Sequence, residues 1–153
     1  MSFNVVPLEP ADFEAWVALQ HRLWPHHSID ELRHDASALL ARGDGAAVFL
    51  AKADGEVVGF AEATLRVDFV NGTNTSPVTF LEGLYVAPEW RRNGVARALC
   101  DAVERWGASN GCTEFASDAL VENDLGRSVH AALGFSEIET VVYFVKPIAL
   151  DAT

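Results

Sequence analysis

Basic side chains are scarce in this chain. Eleven lysines and arginines face 22 aspartates and glutamates, for a formal net charge of −11. That balance argues against nucleic acid as a partner, because binding a polyphosphate needs a basic face. It suits a cationic substrate, since an acidic surface raises the local concentration of polyamines, although solubility alone explains it equally well. Cysteine is rare too. Cys100 and Cys112 lack metal-ligand spacing and read as reduced thiols. The His26-His27 pair lacks i, i+4 metal spacing, so no metal is assigned. No apolar run approaches the roughly 20 residues of a membrane span. Met1 to Pro7 lacks a basic stretch followed by an apolar one, so no export signal is read and a cytoplasmic location is expected.

What is present is the material of a core. Half of the 153 residues are hydrophobic, with nine Phe and four Trp, which excludes a disordered chain and predicts one domain over residues 1–153. Phe3 to Pro7 reads as a first strand. Asp12 can cap a helix that runs to Trp24 and ends at Pro25, and Ser28-Ile29-Asp30-Glu31 is a capping box for a second helix. Ala46 to Ala53 and Glu56 to Val70 read as strands joined by Asp54-Gly55, a two-residue hairpin signal. Asn71 to Pro77 is a polar loop. Strands follow at Val78 to Val86, Thr113 to Asp118 and Glu137 to Val145, with helices at Gly94 to Asn110 and Asp124 to Leu133. The order βααβββαβαβ predicts an α/β (α+β mixed) fold: a mixed sheet with helices on both faces.

The segment Leu84-Tyr85-Val86-Ala87-Pro88-Glu89-Trp90-Arg91-Arg92-Asn93-Gly94-Val95-Ala96 joins an apolar strand to an amphipathic helix. Unpaired N–H groups at a helix start, with its dipole, make an anion site. Gly94 allows close approach to the backbone, Ala96 keeps the next position small, and Arg91 and Arg92 add positive charge. The ligand this implies is a pyrophosphate. An ordinary strand-to-helix turn with solvated arginines is the alternative.

One carboxylate stands out. Glu82 interrupts an apolar strand and, by period two, shares a face with Phe80, Leu84 and Val86. A carboxylate there is costly unless paired. Either that face opens to water or Glu82 meets a cation. Asp118 ends the next strand and either borders a ligand crevice or caps a turn. Glu139 either joins a site or is a solvated edge charge. Trp24 either fills the core or lines a pocket.

The spacing Arg91-x-x-Gly94-x-Ala96, placed between strand and helix, resembles the acyl-CoA signature of the GCN5-related N-acetyltransferases, the GNAT family. Leu133-Gly134-Phe135 resembles the family's second landmark. The element order is similar to the family's as well. The resemblance implies a central, mixed, twisted sheet of six or seven strands flanked by about four helices. It also implies acetyl-CoA as cosubstrate and a homodimer. Cofactor contacts would fall on Leu84, Tyr85, Val86, Arg91, Arg92, Asn93, Gly94, Val95, Ala96, Asn123 and His130. His130 stands where the family commonly has a Tyr that protonates the departing thiolate; it either does this or only touches the cofactor.

Five segments are similar to the aminoglycoside 6′-N-acetyltransferase branch: Leu23-Trp24, Phe69 to Thr73 with Thr75-Ser76-Pro77, Phe80 to Val86, Cys112 to Ala119, and Val141 to Phe144. This implies a cationic amino-sugar substrate bound by Trp24, Phe69, Glu82, Asp118 and Glu139. The expected reaction is direct acetyl transfer to a primary amine. Glu82, with Asp118 and water, takes the amine proton, and backbone N–H groups around Leu84 to Val86 polarise the thioester. Rival readings are a GNAT acting on a polyamine, amino acid or protein N-terminus, a non-catalytic acyl-CoA sensor, and a plain interaction domain.

Overall fold

In the computed structural model, which describes residues 2–150, the chain builds one five-stranded sheet. The strands are β1 (Asn4–Pro7), β2 (Ala46–Ala53), β3 (Glu56–Arg66), β4 (Val78–Val86) and β5 (Phe115–Ala116), side by side in that order. Pairs from β1 to β4 are antiparallel, and β4 with β5 is parallel. The Asp54-Gly55 turn makes β2–β3 a hairpin. Between β4 and β5 the chain crosses over through α3 (Val95–Ser109), as a parallel pair requires.

Alternation along β3 feeds two cores. Phe60 packs with Leu50 against Trp16, Val17, Leu32 and Ala36 of α1 (Phe13–Leu23) and α2 (Ile29–Leu40). Ala61 and Ala63 face the other way, with Leu81, against Val95, Leu99, Cys100 and Val103 of α3. Alanines on that face let the helix sit close. The approach is tightest at Gly107, where a Cβ would fall 2.0 Å from Thr79 Oγ1. The fourth helix, α4 (Asp124–Ala132), has no buried residue and ties to α3 through Arg97 Nη2, which donates to Ala132 O at 2.6 Å.

Ser28 caps α2 as its sequence predicts, its Oγ accepting from Glu31 N at 3.1 Å. Asp12 precedes α1 but makes no side-chain cap. Its carboxylate instead takes Lys52 Nζ at 2.8 Å and Glu9 N at 3.1 Å. An ion pair to β2 has replaced the cap.

The sheet has five strands among the described residues, against the six or seven expected. Residues 137–145 form no strand. An apolar run becomes a strand only where another backbone takes its hydrogen bonds. Here none does, and Phe144 and Val145 stand 92% and 97% exposed. Strand β3 stops at Arg66 rather than Val70, and β5 keeps two residues of the expected Thr113 to Asp118. The second shortening has a local cause: β5 pairs with β4 only at Thr79↔Phe115 and Phe80↔Ala116, and beyond them the two strands part.

Candidate active site

Glu82 owes its position to a bulge. Pairing of β3 with β4 steps from Glu62↔Gly83 to Ala63↔Leu81, which leaves Glu82 as the extra residue. The bulge corrects the face predicted for it. Glu82 stays with Phe80, on the side of α1 and α2, whereas Leu84 and Val86 turn to the α3 core. Its carboxylate is held by β3. Thr64 Oγ1 donates to Oε2 at 2.6 Å, and Arg66 Nη2 lies 2.9 Å from both oxygens. Arg66 in turn lies over the Phe80 ring, its Cζ 3.5 Å from the centroid.

Beside this group opens a cavity of about 910 Å³ between the α1–α2 pair and the β3–β4 face. Trp24, Phe69 and Glu82 line it together; Asp118, Glu139 and His130 do not. Asp118 is exposed beyond the end of β5. Glu139 is exposed next to Ile138, which packs over Gly72 of the 71–77 loop. That loop is fastened to the start of β5 by Glu114, which accepts from Asn74 N at 2.9 Å and Thr75 N at 2.8 Å.

The other side of β4 is open. Ala87 N donates to Val58 O at 2.8 Å, so alternation turns the N–H groups of Leu84 and Val86 away from β3, toward the gap left by β5. Arg91 Nε donates to Val86 O at 3.0 Å across that gap. The Tyr85 side chain packs on the opposite face, with Arg22 and Arg91 each 5.7 Å from its ring centroid.

The edge runs into the start of α3. Gly94 takes φ +79°, a left-handed conformation that glycine adopts freely, and a Cβ there would meet no atom within 4 Å. Arg92 also has positive φ, at +62°. Among the described residues, the backbone N–H groups from Arg92 through Arg97 meet no acceptor in the chain. Six consecutive free donors at a helix start form an anion cradle. Asn93 braces it through Nδ2 to Arg91 O at 3.0 Å. Val95 is buried in the core and Ala96 half-buried, so both serve the cradle through backbone alone.

Two expected cofactor residues have partners inside the chain. Asn123 caps α4, its Oδ1 accepting from Gly126 N at 2.9 Å. His130 Nδ1 lies 2.6 Å from Gly126 O, a carbonyl that can only accept, so Nδ1 carries a proton. Its Nε2 lies 2.7 Å from Ser117 Oγ, just past β5. Burial beside Asp101 and Glu104 pushes the Cys100 thiol up to about 12, which makes it inert as a nucleophile.

Sequence reasoning missed Arg66, Thr64, Glu62, Gln20 and Ser117. A signal for three of them existed: Glu62, Thr64 and Arg66 fall at i, i+2 and i+4 of an apolar strand, one polar face. Gln20 and Ser117 carry no such mark.

A sequence profile of the acetyltransferase (GNAT) family matches residues 11–135. The chain is 47% identical to an aminoglycoside N(6′)-acetyltransferase type 1 of Salmonella enteritidis, over 94% of this chain and 98% of that protein. It is 49% identical to the protein of that name in Stenotrophomonas maltophilia, over 94% and 92%. The structure of AAC(6′)-Iy in complex with the bisubstrate analogue CoA-S-monomethyl-acetylneamine is similar at TM-score 0.90 and 42% identity, covering 97% of this chain and 100% of that one. AAC(6′)-Ih of Acinetobacter baumannii is similar at TM-score 0.90 and 42% identity, with the same coverage. The family motif and these matches agree with the open β4 edge and the donor cradle of α3: the chain belongs to the GNAT family of acetyltransferases.

Proposed function

We propose that this protein transfers the acetyl group of acetyl-CoA directly to the 6′-amine of an aminoglycoside, and so confers resistance to such antibiotics. The observation that carries the reading is the adjacency of two features across β4. A free N–H cradle and an open strand edge lie on one side, and a cavity holding Glu82 lies on the other. The relatives named above act on aminoglycosides, and AAC(6′)-Iy binds a CoA analogue.

The residues present fit acetyl-CoA. The donors from Arg92 to Arg97 match a diphosphate, and Gly94 leaves the approach clear. Arg91 and Arg92 add charge, and Leu84 and Val86 offer N–H groups to the pantetheine arm or the thioester oxygen. When bound, the cosubstrate supplies an activated acetyl group.

The protein does the rest. Trp24 and Phe69 wall the sugar, and Glu82 holds the ammonium. An alkyl ammonium has a pKa near 10.4, so the amine must lose a proton before it attacks. Glu82 takes that proton directly or through water, with Asp118 and Glu139 adding negative charge at the rim. His130, its Nδ1–H kept on Gly126 O, takes up a second proton at Nε2 and passes it through Ser117 Oγ to the departing sulfur, which leaves the ring neutral again. Asn123 assists from the start of α4. No acyl-enzyme forms, in keeping with the buried, inert thiol of Cys100.

The same reading makes the enzyme a cytoplasmic homodimer. Among the described residues, no helix is long and apolar enough to cross a membrane. Residues 141–150 leave Val142, Tyr143, Phe144, Val145, Ile148 and Leu150 exposed, a surface that a second copy can cover. Thiol release from acetyl-CoA with a kanamycin-type amine, spermidine and a peptide tests the substrate class. Turnover is expected with the first alone; preference for spermidine or peptide would overturn it.

A further inference from the structure

Glu62 and Gln20 have no part in the chemistry above, yet they are among the most deeply placed polar groups of the protein. Glu62 is 6% exposed and Gln20 2%. Trp16 Nε1, at 3.3 Å, and Gln20 Nε2, at 2.8 Å, both donate to one oxygen, Glu62 Oε1. Oε2 receives no hydrogen bond from the described residues. Gln20 Oε1 is buried and has no partner either. Both residues line the cavity that Glu82 shares. The unpaired Gln20 acceptor beside a buried carboxyl costs stability, and an apolar pair would pack there without that cost.

Their surroundings select a cation. The charges that act on Glu62 are Glu82 from β4 and Asp35 from α2; Arg66, Arg42, Asp68 and His27 line the same cavity, while α1 brings only the neutral Trp16 and Gln20 against it. Arg66 is spent on Glu82. Gly83 lies opposite Glu62, and a Cβ there would fall 3.1 Å from Glu62 Cγ and 2.8 Å from Trp24 Cη2. The bare backbone thus lets an aromatic wall and a carboxyl meet at one spot. α1 holds Glu62, whereas Thr64 and Arg66 hold Glu82, so the one cavity offers two carboxylates fixed by different elements.

We propose, resting on the acetyltransferase reading above, that Glu62 Oε2, with Gln20 and Trp16 holding the other oxygen, forms a second nitrogen subsite, which takes a protonated amino group of the substrate other than the one acetylated. The subsite demands a substrate with at least two amines and sets its orientation. Burial pushes the Glu62 carboxyl up to about 7, so the empty site holds part of a proton at neutrality. An arriving ammonium favours the carboxylate and expels that proton.

Calorimetric titration of neamine into the CoA-saturated protein at pH 7, in two buffers of different ionisation enthalpy, tests this. Wild type is expected to release more protons on binding than Glu62→Gln, and Glu62→Gln to bind neamine at least about tenfold more weakly with unchanged CoA affinity. Wild-type neamine affinity and proton release in Glu62→Gln would overturn the subsite. Should Glu62→Gln fail to fold, seen as loss of CoA binding, Gln20→Leu reads the same site, with the same tenfold loss expected and unchanged affinity refuting it. Neamine that fails to bind the CoA-saturated wild type refutes the substrate reading itself, and the subsite with it.

Discussion

Arg66 Nη2 lies 2.9 Å from each oxygen of Glu82, and the pair spans the bulge that separates β3 from β4. The arginine fixes a carboxylate that would otherwise be a flexible side chain at a cavity wall. It leaves Glu82 one direction of approach, the cavity, for an ammonium. Glu82→Gln should lower kcat by about 10²–10⁴-fold on every 6′-amino aminoglycoside, the loss typical of a missing proton acceptor. Arg66→Met, which keeps Glu82 but frees it, should cost roughly ten- to a hundredfold through lost positioning. Steady-state kinetics decide both, and wild-type rates in Glu82→Gln would remove it from the mechanism.

Gly83 is the second point where backbone sets the site. A methyl group there would collide with Trp24 Cη2 at 2.8 Å, and something must shift. Gly83→Ala is expected to displace Trp24, raise KM for the amine roughly tenfold, and cost about 1–3 kcal/mol of stability as an overpacked contact. Affinity for CoA should stay as in wild type, because the cradle of α3 lies elsewhere. Equal losses for both ligands would show that the damage is general.

Much of this was readable in the chain beforehand, and the pattern of hits and misses has physical causes. The hairpin at Asp54-Gly55, the cap at Ser28 and the turn at Gly94 are local devices, so their residues announce them. The family likeness that Arg91-x-x-Gly94-x-Ala96 carries pointed to the backbone N–H groups around Leu84 to Val86, but not to the gap between β4 and β5 that they face. The bulge at Glu82 was not legible, because period two continues through the sequence and only the pairing with β3 breaks it. Residues 137–145 read as a strand for a sound reason, a continuous run of β-branched and aromatic side chains from Val141 to Val145. Pairing, however, depends on a neighbouring backbone, and among the described residues none pairs with it. Gln20 was invisible for another reason: a lone glutamine on a helix has no sequence mark until its partner, 42 residues on, is brought against it.

Glu62 predicts a stability profile. Burial, with Glu82 and Asp35 nearby, pushes its carboxyl up to about 7, despite the hydrogen bonds from Gln20 and Trp16 that oppose the shift. An unfolded glutamate titrates near 4.3. The native state therefore binds the extra proton between those values, and Glu62's contribution is full below about pH 4 and lost as pH rises through 7. Wild type should lose stability relative to Glu62→Gln across that window, by up to roughly 3 kcal/mol. Urea unfolding of both proteins at several pH values measures it. A stability difference that does not change with pH would contradict the assignment.

The exposed C-terminal run predicts an assembly. Val142 and Phe144 are 73% and 92% exposed, unusual for such side chains unless another surface covers them. Sedimentation should show a dimer for the wild-type protein and a monomer for the double substitution Val142→Asp with Phe144→Asp. A monomeric wild type would show that these residues need no partner.

In the proposed reaction β4 presents acetyl-CoA on one edge to a 6′-nitrogen held by Glu82 on the other side. The most direct measurement is acetyl-CoA turnover with a matched pair of aminoglycosides, one bearing a 6′-amine and one a 6′-hydroxyl. Stoichiometric thiol release and a singly acetylated product are expected from the amine, with no turnover of the hydroxyl compound. Equal turnover of both, or of neither, would contradict it.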